Sequence, residues 1–469
     1  MSVAPYDIAI IGAGPGGYVA AIRAAQKGAK VVLVEKDRLG GTCLNRGCIP
    51  TKTMVRDAEV YRDAASGEYA VAAQGLSVNY ARLLERKQAV VDTLVGGVER
   101  LLANYGVRLL SGRGRILSPG RVEVHTAAGN EQLDARAIII ASGSVSAQLP
   151  LPGGDLPGVL HSDDLLTYPS LPQSLVVVGA SVVGMEFACL YQALGTRVTV
   201  LGRKTFLKDT EPQLAKRLQV LLRQRGMDIA VGLEFQNIER TAAGLLRVNY
   251  LRGGKQDGAE GEVVLIASGR WPYSEGLGLD ELGLARSGRA IAVDAYLRTN
   301  IPGIYAIGDC IGGLMLAHVA SYEAEVAVAN ILGGSRAADY RVVPNCIFTL
   351  PEIADVGLTE AEAKERGLTI SVSRFPFNIN GRALALGETE GQVRLVCERG
   401  ADGHGGRVLG AHIMGPHASD LIAEAALAIK LGANAQDIAG TIHAHPTVPE
   451  ALMEAAMGQG EGAIHFEHR

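Results

Sequence analysis

The chain has 469 residues, with 49 acidic and 45 basic side chains, a formal net charge of −4 and 48% hydrophobic residues. No run reaches the roughly 18–20 consecutive apolar residues that span a bilayer, and the weakly acidic balance argues against a nucleic-acid surface. One hydrophobic core does not grow to this length, so the sequence predicts about two to four domains and no membrane span.

The N-terminus and the cysteines bear on the cellular compartment. Residues 1–5 lead directly into a strand-like run, without the basic, apolar and small-residue segments of a secretion signal. We therefore expect a cytoplasmic protein. Cysteines stand at positions 43, 48, 189, 310, 346 and 397, and only the first two are close together. This spacing favours a metal half-site or a redox couple over a disulfide framework.

A strand, a glycine turn, a helix and a second strand follow one another at the start of the chain. Residues 6–11 form the predicted first strand, a helix extends to about Lys27, and residues 31–34 form a strand that ends on Glu35. The turn carries Gly12, Gly14 and Gly17. Such a turn lets backbone N–H groups approach a pyrophosphate, while the acid accepts from a ribose hydroxyl. We interpret the unit as a dinucleotide site rather than a tight turn without a ligand.

The close cysteine pair, Cys43 and Cys48, is the most specific feature of the sequence. Pro50 suits an early helical position and residues 51–65 have helical character, so Cys48 is expected at the positive end of a helix, where a thiolate is stabilised. Arg46 lies between the two cysteines. It either favours the Cys48 thiolate or an acidic substrate, or it faces solvent.

A second unit repeats the first and departs from it in two places. Its turn contains Gly179, Ser181 and Gly184, with the serine in place of the middle glycine. Gly202 stands where the first unit has its acid, and Arg203 and Lys204 follow. Cations without a carboxylate suit a 2′-phosphate, so we hypothesise that NADPH is used at least as well as NADH. The alternative is two solvated surface cations.

A histidine near the C-terminus has the sequence context of a base. Glu450 lies five residues after His445 and can orient its imidazole and raise its basicity, as a thiol-activating base requires. The sequence gives no comparable reason to assign His443 a catalytic role. The two histidines are only weak candidates for completing a zinc site with the cysteine pair, so we favour a redox couple and expect no metal.

Together these motifs resemble the pyridine nucleotide–disulfide oxidoreductases over nearly the whole chain. Besides the first turn and the cysteine pair, the resemblance rests on residues 141–144, 299–309 and 445–450. It implies an α/β fold with two Rossmann-like dinucleotide-binding domains, for FAD and NAD(P), and a C-terminal α+β dimerisation domain. The implied domains are an FAD-binding first part (1–150), an NAD(P)-binding domain (151–272), a return to the FAD or central domain (273–340) and the dimerisation domain (341–469).

The resemblance also implies residue roles. Cys43 and Cys48 form the redox disulfide, and His445, oriented by Glu450, reaches the disulfide of the other subunit of a homodimer. Asp309 binds the flavin side chain, while Lys52 and Glu186 form a pair beside the flavin unless they are surface residues. The FAD set is Gly12, Gly14, Gly17, Glu35, Thr42, Lys52, Gly143 and Asp309. The NAD(P) set is Gly179, Ser181, Gly184, Glu186, Arg203, Lys204 and Gly269.

Within the family, the motifs resemble the dihydrolipoamide dehydrogenases most. Glutathione reductases carry a lysine at the position of Thr51, and mercuric reductases end in a cysteine pair that the tail from residue 460 lacks. The dehydrogenases, however, usually carry an acid at the position of Gly202, so the motifs and the cofactor signal disagree.

The expected reaction converts dihydrolipoyl and NAD(P)⁺ to lipoyl and NAD(P)H. In it Cys43 exchanges with the dithiol, His445 moves protons and Cys48 passes electrons to FAD. The implied partners are lipoyl-bearing proteins of a 2-oxo acid dehydrogenase or glycine cleavage complex. The alternatives are an NADPH-dependent disulfide reductase of the glutathione reductase type and a non-catalytic, flavin-bound subunit of a complex.

Overall fold

The computed structural model describes residues 6–400 and 403–467. The predicted absence of a secretion signal in residues 1–5 therefore lies outside the described residues. Within the described ranges, no helix combines the length and apolar character needed to cross a membrane.

The N-terminal part of the chain builds a sheet from aliphatic strands buried on both faces. Its elements are β1 (Tyr6–Ile11), α1 (Pro15–Gln26), β2 (Val31–Glu35), α2 (Gly41–Arg46), α3 (Cys48–Ser66), α4 (Tyr80–Asn104), β3 (Arg108–Ser111), β4 (Arg113–Ser118), β5 (Arg121–Thr126), β6 (Gly129–Ile140) and β7 (Ser144–Ser146). The strand order is β3-β2-β1-β6-β5-β4, parallel up to β6 and antiparallel beyond it. Alanines of α1 pack against the sheet, which brings the helix close to the strands.

The second part repeats this arrangement around a parallel sheet. Its elements are β8 (Val159–Leu160), α5 (Ser162–Leu165), β9 (Ser174–Val178), α6 (Val182–Ala193), β10 (Arg197–Gly202), α7 (Pro212–Gln224), β11 (Asp228–Val231), β12 (Leu233–Arg240), β13 (Leu246–Arg252), β14 (Lys255–Gly261) and β15 (Val263–Ile266). The parallel strands lie in the order β11-β10-β9-β15-β8, and β12-β13-β14 form an antiparallel sheet beside them.

The chain then returns to the first sheet. The returning elements are β16 (Arg270–Pro272), β17 (Arg286–Ser287), β18 (Ala290–Ile291), β19 (Ile304–Ala306), a 3-10 turn (Gly308–Ile311) and α8 (Ala317–Ile331). Strand β19 pairs in parallel with β6, with Ile304 opposite Ile138, and α8 packs on α1. The turn after β19 therefore lies beside the first glycine turn.

The C-terminal part is an antiparallel sheet covered by helices. Its elements are β20 (Asn345–Ile347), β21 (Glu352–Gly357), α9 (Glu360–Glu365), β22 (Ile370–Pro376), a 3-10 turn (Phe377–Ile379), α10 (Gly381–Leu386), β23 (Gln392–Arg399), β24 (Gly405–Gly415), α11 (Ala418–Leu431), α12 (Ala435–Ala439) and α13 (Glu450–Met457). The strand order is β20-β21-β24-β23-β22. The predicted fold is confirmed, with two Rossmann-like units and a C-terminal α+β domain.

Candidate functional site

The first glycine turn has the shape of a ligand cradle. A Cβ on Gly12, whose φ is +102°, would overlap the Ala141 carbonyl oxygen, and one on Gly17 would overlap the Gly12 carbonyl oxygen. Gly14 differs, because its φ is −69° and a Cβ there would have Gly41 Cα, at 4.0 Å, as its nearest neighbour. Neither packing nor backbone strain within the chain therefore demands glycine at this position, whereas a closely approaching ligand would.

Glu35 closes the same turn from the end of β2. Its Oε2 accepts a hydrogen bond from the Ala13 N–H at 2.7 Å, and its Oε1 accepts from the Asp37 N–H at 2.8 Å. A carboxylate offers about four lone-pair directions, so acceptor capacity remains for a ribose hydroxyl. The turn and its acid are thus fixed relative to each other.

A polar network links three parts of the chain near this turn. Asp309 Oδ2 accepts from Ser144 Oγ at 2.5 Å, and Ser144 Oγ accepts from Arg270 Nε at 2.8 Å. Arg270 Nη2 also donates to the Ser144 carbonyl at 2.8 Å and lies 3.5 Å from Thr42 Oγ1. The structure therefore brings together Thr42, Asp309 and the residue after Gly143.

The sequence did not single out Arg270 as a site residue. The sequence offered only a weak indication of a role for Arg270. It directly follows Gly269, whose φ is +107°, in a turn that resembles the turn at Gly143, whose φ is +74°. Its partners lie more than a hundred residues away in the sequence, so only the fold reveals them.

The second glycine turn is built like the first but admits a side chain. Cβ atoms on Gly179 and Gly184 would overlap the carbonyl oxygens of Ala267 and Gly179. Ser181 has a negative φ of −97°, and its Oγ donates to the Ala267 carbonyl at 3.1 Å. The hydroxyl is thus occupied by the protein's own backbone, which explains why serine fits at this position.

Gly202 lies at the end of β10 with little space around it. A Cβ there would lie 2.9 Å from Val231 Cγ1 and 3.0 Å from Ala180 Cβ. A carboxylate side chain like that of Glu35 would therefore require the neighbours to move. Arg203 and Lys204 are exposed, and neither side chain has a hydrogen-bond or ion-pair partner within the described part of the chain.

The two close cysteines lie where two helices meet. Cys43 is on α2, a short helix that the sequence did not predict. Cys48 is the first residue of α3, so it lies at the positive helix end as expected, although the helix begins three residues earlier than the predicted residue 51. Both are thiols in this structure. The hydrogen bond with Cys43 is the main cause that lowers the pKa of Cys48 to about 7, and the Lys52 ammonium also lowers it. The same hydrogen bond, followed by burial, raises the pKa of Cys43, so the two thiols titrate as a coupled pair.

Lys52 and Glu186 form an ion pair between α3 and α6. Lys52 Nζ lies 2.8 Å from Glu186 Oε2 and 2.9 Å from its Oε1, and the Glu186 side chain is only 7% exposed. Phe348 contacts both partners: its N–H donates to Glu186 Oε1 at 3.0 Å, and its ring lies 4.4 Å from Lys52 Nζ. The alternative of two surface residues is therefore wrong for Glu186, which is buried.

His445 is oriented but does not reach the cysteines of its own chain. Its Nδ1 lies 2.9 Å from Glu450 Oε1, while Glu450 Oε2 accepts from the Thr447 N–H at 2.7 Å. Burial alone would raise the pKa of Glu450, but the Thr447 N–H and His445 together lower it, so the carboxylate is charged. The His445 side chain is 79% exposed. It thus projects from the surface of the C-terminal domain.

Two neighbouring side chains have partners that the sequence left open. The His443 side chain is only 6% exposed, with Nε2 3.1 Å from Glu424 Oε1 and Nδ1 2.8 Å from the Thr441 carbonyl. Arg46 forms an ion pair with Asp37. Among residues 6–400 and 403–467, no three histidine, cysteine or acidic side chains form a group that could hold a metal ion.

Comparison with known proteins identifies the class. Residues 6–324 match the pyridine nucleotide-disulphide oxidoreductase family, and residues 343–456 match the dimerisation domain of that family. The chain belongs to the pyridine nucleotide-disulphide oxidoreductases. It is a flavoprotein disulfide oxidoreductase that uses FAD and a pyridine nucleotide, and the dimerisation domain supports a homodimer.

Similar proteins cover nearly the whole chain. A dihydrolipoyl dehydrogenase from Bacillus subtilis is 40% identical, covering 98% of this chain and 99% of its own length. One from Halobacterium salinarum is 42% identical, covering 99% and 98%. Among solved structures, LpdA from Mycobacterium tuberculosis has a TM-score of 0.87 at 29% identity, covering 96% of this chain and 98% of its own. The HOCl-induced flavoprotein disulfide reductase RclA from Escherichia coli has a TM-score of 0.86 at 28% identity, covering 96% and 99%.

Proposed function

We propose that the chain is a dihydrolipoyl dehydrogenase, which oxidises a dihydrolipoyl dithiol and reduces a pyridine nucleotide. The observation that carries the proposal is the close cysteine pair itself, in which Cys48 begins α3 one helical turn before Lys52. The hydrogen bond with Cys43, aided by the Lys52 ammonium, lowers the pKa of Cys48 to about 7. An asymmetric pair suits a division of labour, because the more acidic thiol is the better leaving group and is present as the reactive thiolate at neutral pH. The similarity to dihydrolipoyl dehydrogenases over nearly the full length supports the choice of substrate.

The proposed steps start from the Cys43–Cys48 disulfide. One substrate thiolate attacks Cys43 Sγ and displaces Cys48, and the second substrate thiolate then displaces Cys43, which releases lipoyl and leaves both cysteines reduced. His445 of the partner subunit accepts and returns the thiol protons. FAD, when bound, supplies two-electron transfer between the reduced cysteines and the nicotinamide. The Lys52 ammonium stabilises the Cys48 thiolate.

The proposal assigns each part of the chain a task. Residues 1–150 and 273–340 would hold FAD through the first glycine turn, Glu35 and the network around Asp309. Residues 151–272 would hold the pyridine nucleotide at the second turn, and residues 341–469 would present His445 across the dimer. Lipoyl-bearing proteins of a multienzyme complex are the partners that this substrate implies.

We further propose that NADPH serves at least as well as NADH. The limited space at Gly202 and the unpaired side chains of Arg203 and Lys204 support this, because a 2′-phosphate needs cations and no carboxylate. The same observation favours a second candidate function, an NADPH-dependent disulfide reductase of the glutathione reductase type.

One set of assays separates the two candidates. Initial rates are measured with dihydrolipoamide, lipoamide and glutathione disulfide, each against NAD(H) and NADP(H). We expect kcat/KM for the lipoyl pair to exceed that for glutathione disulfide by at least about 100-fold, since a site shaped for one disulfide discriminates by several kcal/mol. Turnover of glutathione disulfide with NADPH, without turnover of the lipoyl pair, would replace the first candidate with the second.

A further inference from the structure

Glu323 is a buried carboxylate behind the proposed flavin site. It lies on α8 with 3% of its surface exposed, and no cationic side chain pairs with it among the described residues. Its Oε2 accepts from the Gly308 N–H at 2.6 Å, and its Oε1 accepts from Tyr340 Oη at 2.7 Å. Burial, above all, raises its pKa, whereas these two donors lower it. Both oxygens are therefore engaged, one of them by the backbone of the turn that carries Asp309.

Gly308, which links the carboxylates of Glu323 and Asp309, has a backbone conformation that favours glycine. Gly308 has a φ of +71°, and a Cβ there would lie 3.2 Å from Ala320 Cβ. Asp309 follows directly and accepts from Ser144 Oγ at 2.5 Å. The turn is thus held from two sides, by Glu323 through the Gly308 N–H and by Ser144 through the Asp309 carboxylate. If the Gly308 hydrogen bond were lost, the turn would keep only one of these anchors.

We propose that Glu323, supported by Tyr340, is a positioning residue for FAD binding: it fixes the Gly308 turn and thereby aims the Asp309 carboxylate. The inference rests on the proposed role of Asp309. Glu323 does not contact the ligand itself. It acts through the part-buried Gly308 N–H, which would lose this acceptor if the carboxylate were removed.

The test measures how fast purified full-length holoenzyme releases FAD, followed by the rise in free flavin fluorescence after dilution. In Glu323→Leu the side chain keeps its bulk but offers no acceptor, so we expect release at least about 10-fold faster. In Glu323→Gln the amide oxygen still accepts from Gly308 and the amide nitrogen can donate to Tyr340 Oη. We expect this conservative variant to stay within about 3-fold of the wild type.

A matched control and a milder variant complete the set. Glu325→Leu changes an exposed carboxylate two residues further along α8 that pairs with Arg23, and we expect wild-type release. Tyr340→Phe removes one donor to Glu323, and we expect release about 2–4-fold faster. This variant keeps the aromatic ring, so it tests the inference even if Glu323→Leu does not fold.

The outcomes distinguish this inference from the proposed function. If Asp309→Asn does not speed FAD release, the proposed role of Asp309 is wrong. If Asp309→Asn speeds release but Glu323→Leu matches the wild type, only the positioning role fails. Equal release rates from Glu323→Leu and Glu323→Gln would also overturn the positioning role. If Glu323 served only in packing, both variants would release FAD at the wild-type rate. If only its negative charge mattered, both variants would release FAD faster.

Discussion

Lys52 Nζ and Glu186 Oε2, 134 residues apart in the sequence, meet at 2.8 Å between α3 and α6. The pair lies one helical turn from Cys48, and the two charges act on that thiol in opposite directions: Lys52 lowers its pKa and Glu186 raises it. The pKa of Cys48, which we propose passes electrons to FAD, is therefore influenced by an ion pair that joins the two Rossmann-like units.

Substitution of Lys52 should shift the acidity of Cys48. In Lys52→Met the favourable ammonium is lost while Glu186 remains, so we expect the pKa of Cys48 to rise and the unfolding free energy to fall by about 1–3 kcal/mol. Thiolate absorbance of the reduced protein, titrated against pH, measures the first effect, and denaturant unfolding measures the second. Lys208→Met, which alters an exposed pair with Asp209, is the control and should change neither.

The reduced pair should titrate near neutrality. Because the pKa of Cys48 is about 7, alkylation by iodoacetamide should accelerate with pH around a midpoint near 7 rather than near the ordinary 8.5. Mass spectrometry of peptides after partial alkylation checks which cysteine reacts. Equal labelling of both cysteines with a midpoint above 8 would contradict the asymmetry.

Removal of either redox cysteine should abolish turnover without loss of FAD. Cys48→Ser and Cys43→Ser each leave a hydroxyl that cannot form the disulfide, so we expect at least about a 10³-fold loss of kcat with the flavin retained. Cys346→Ser, which removes a partly buried cysteine outside the pair, is the control. Unchanged turnover in Cys48→Ser would support the non-catalytic, flavin-bound subunit instead.

Arg203 should govern the choice of nucleotide. Loss of one charge-assisted contact to a 2′-phosphate weakens the binding free energy by about 1.5 kcal/mol. Arg203→Ala should therefore raise KM for NADPH about 10-fold and leave KM for NADH almost unchanged. Steady-state rates with both nucleotides measure the split. An equal effect on both would mean that Arg203 does not contact a 2′-phosphate.

A buried histidine in the C-terminal sheet should make stability depend on pH. His412 Nδ1 lies 2.7 Å from Asp355 Oδ1 and its Nε2 lies 3.1 Å from the Leu358 carbonyl, so both ring nitrogens face acceptors. Burial lowers the pKa of His412. Asp355 and the Leu358 carbonyl raise it by more than burial lowers it, so the net pKa lies above its ordinary value. The stabilisation is therefore fully present below the unfolded pKa of about 6.5 and is lost as pH rises through the folded pKa.

His412→Gln should accordingly lower the unfolding temperature most at low pH. We expect a loss of roughly 3–5 °C at about pH 6, with the difference from the wild type shrinking as pH rises. Differential scanning calorimetry across pH measures it. His125→Gln, at an exposed histidine near Glu123, is the control and should show little pH-dependent difference.

The fold followed from local signals in the sequence. Aliphatic runs, glycine turns and the proline after Cys48 each act within a few residues, so they predict strands and helix starts. The antiparallel partner of a strand or the return of β19 to β6 depends on contacts between distant segments, which no local pattern contains.

The site was predictable where a motif is contiguous and less so where it is assembled. His445 and Glu450 are five residues apart, and their hydrogen bond was expected from that spacing. Arg270 joins Thr42 and Ser144 only because strand β16 pairs with β7. Arg46 illustrates the opposite limit, since its partner Asp37 is near in sequence, yet only the fold reveals that the two side chains form an ion pair.

The exposure of His445 has a consequence for mixed populations of chains. If each catalytic centre takes its cysteines from one chain and its histidine from the other, a dimer of Cys48→Ser and His445→Gln chains contains one centre with both defects and one with neither. Two preparations that are each inactive should therefore regain about a quarter of wild-type activity after unfolding, mixing and refolding, since half of the random dimers carry one intact centre. Such rescue between alleles would make the two genetic lesions complementary, although both lie in the same gene.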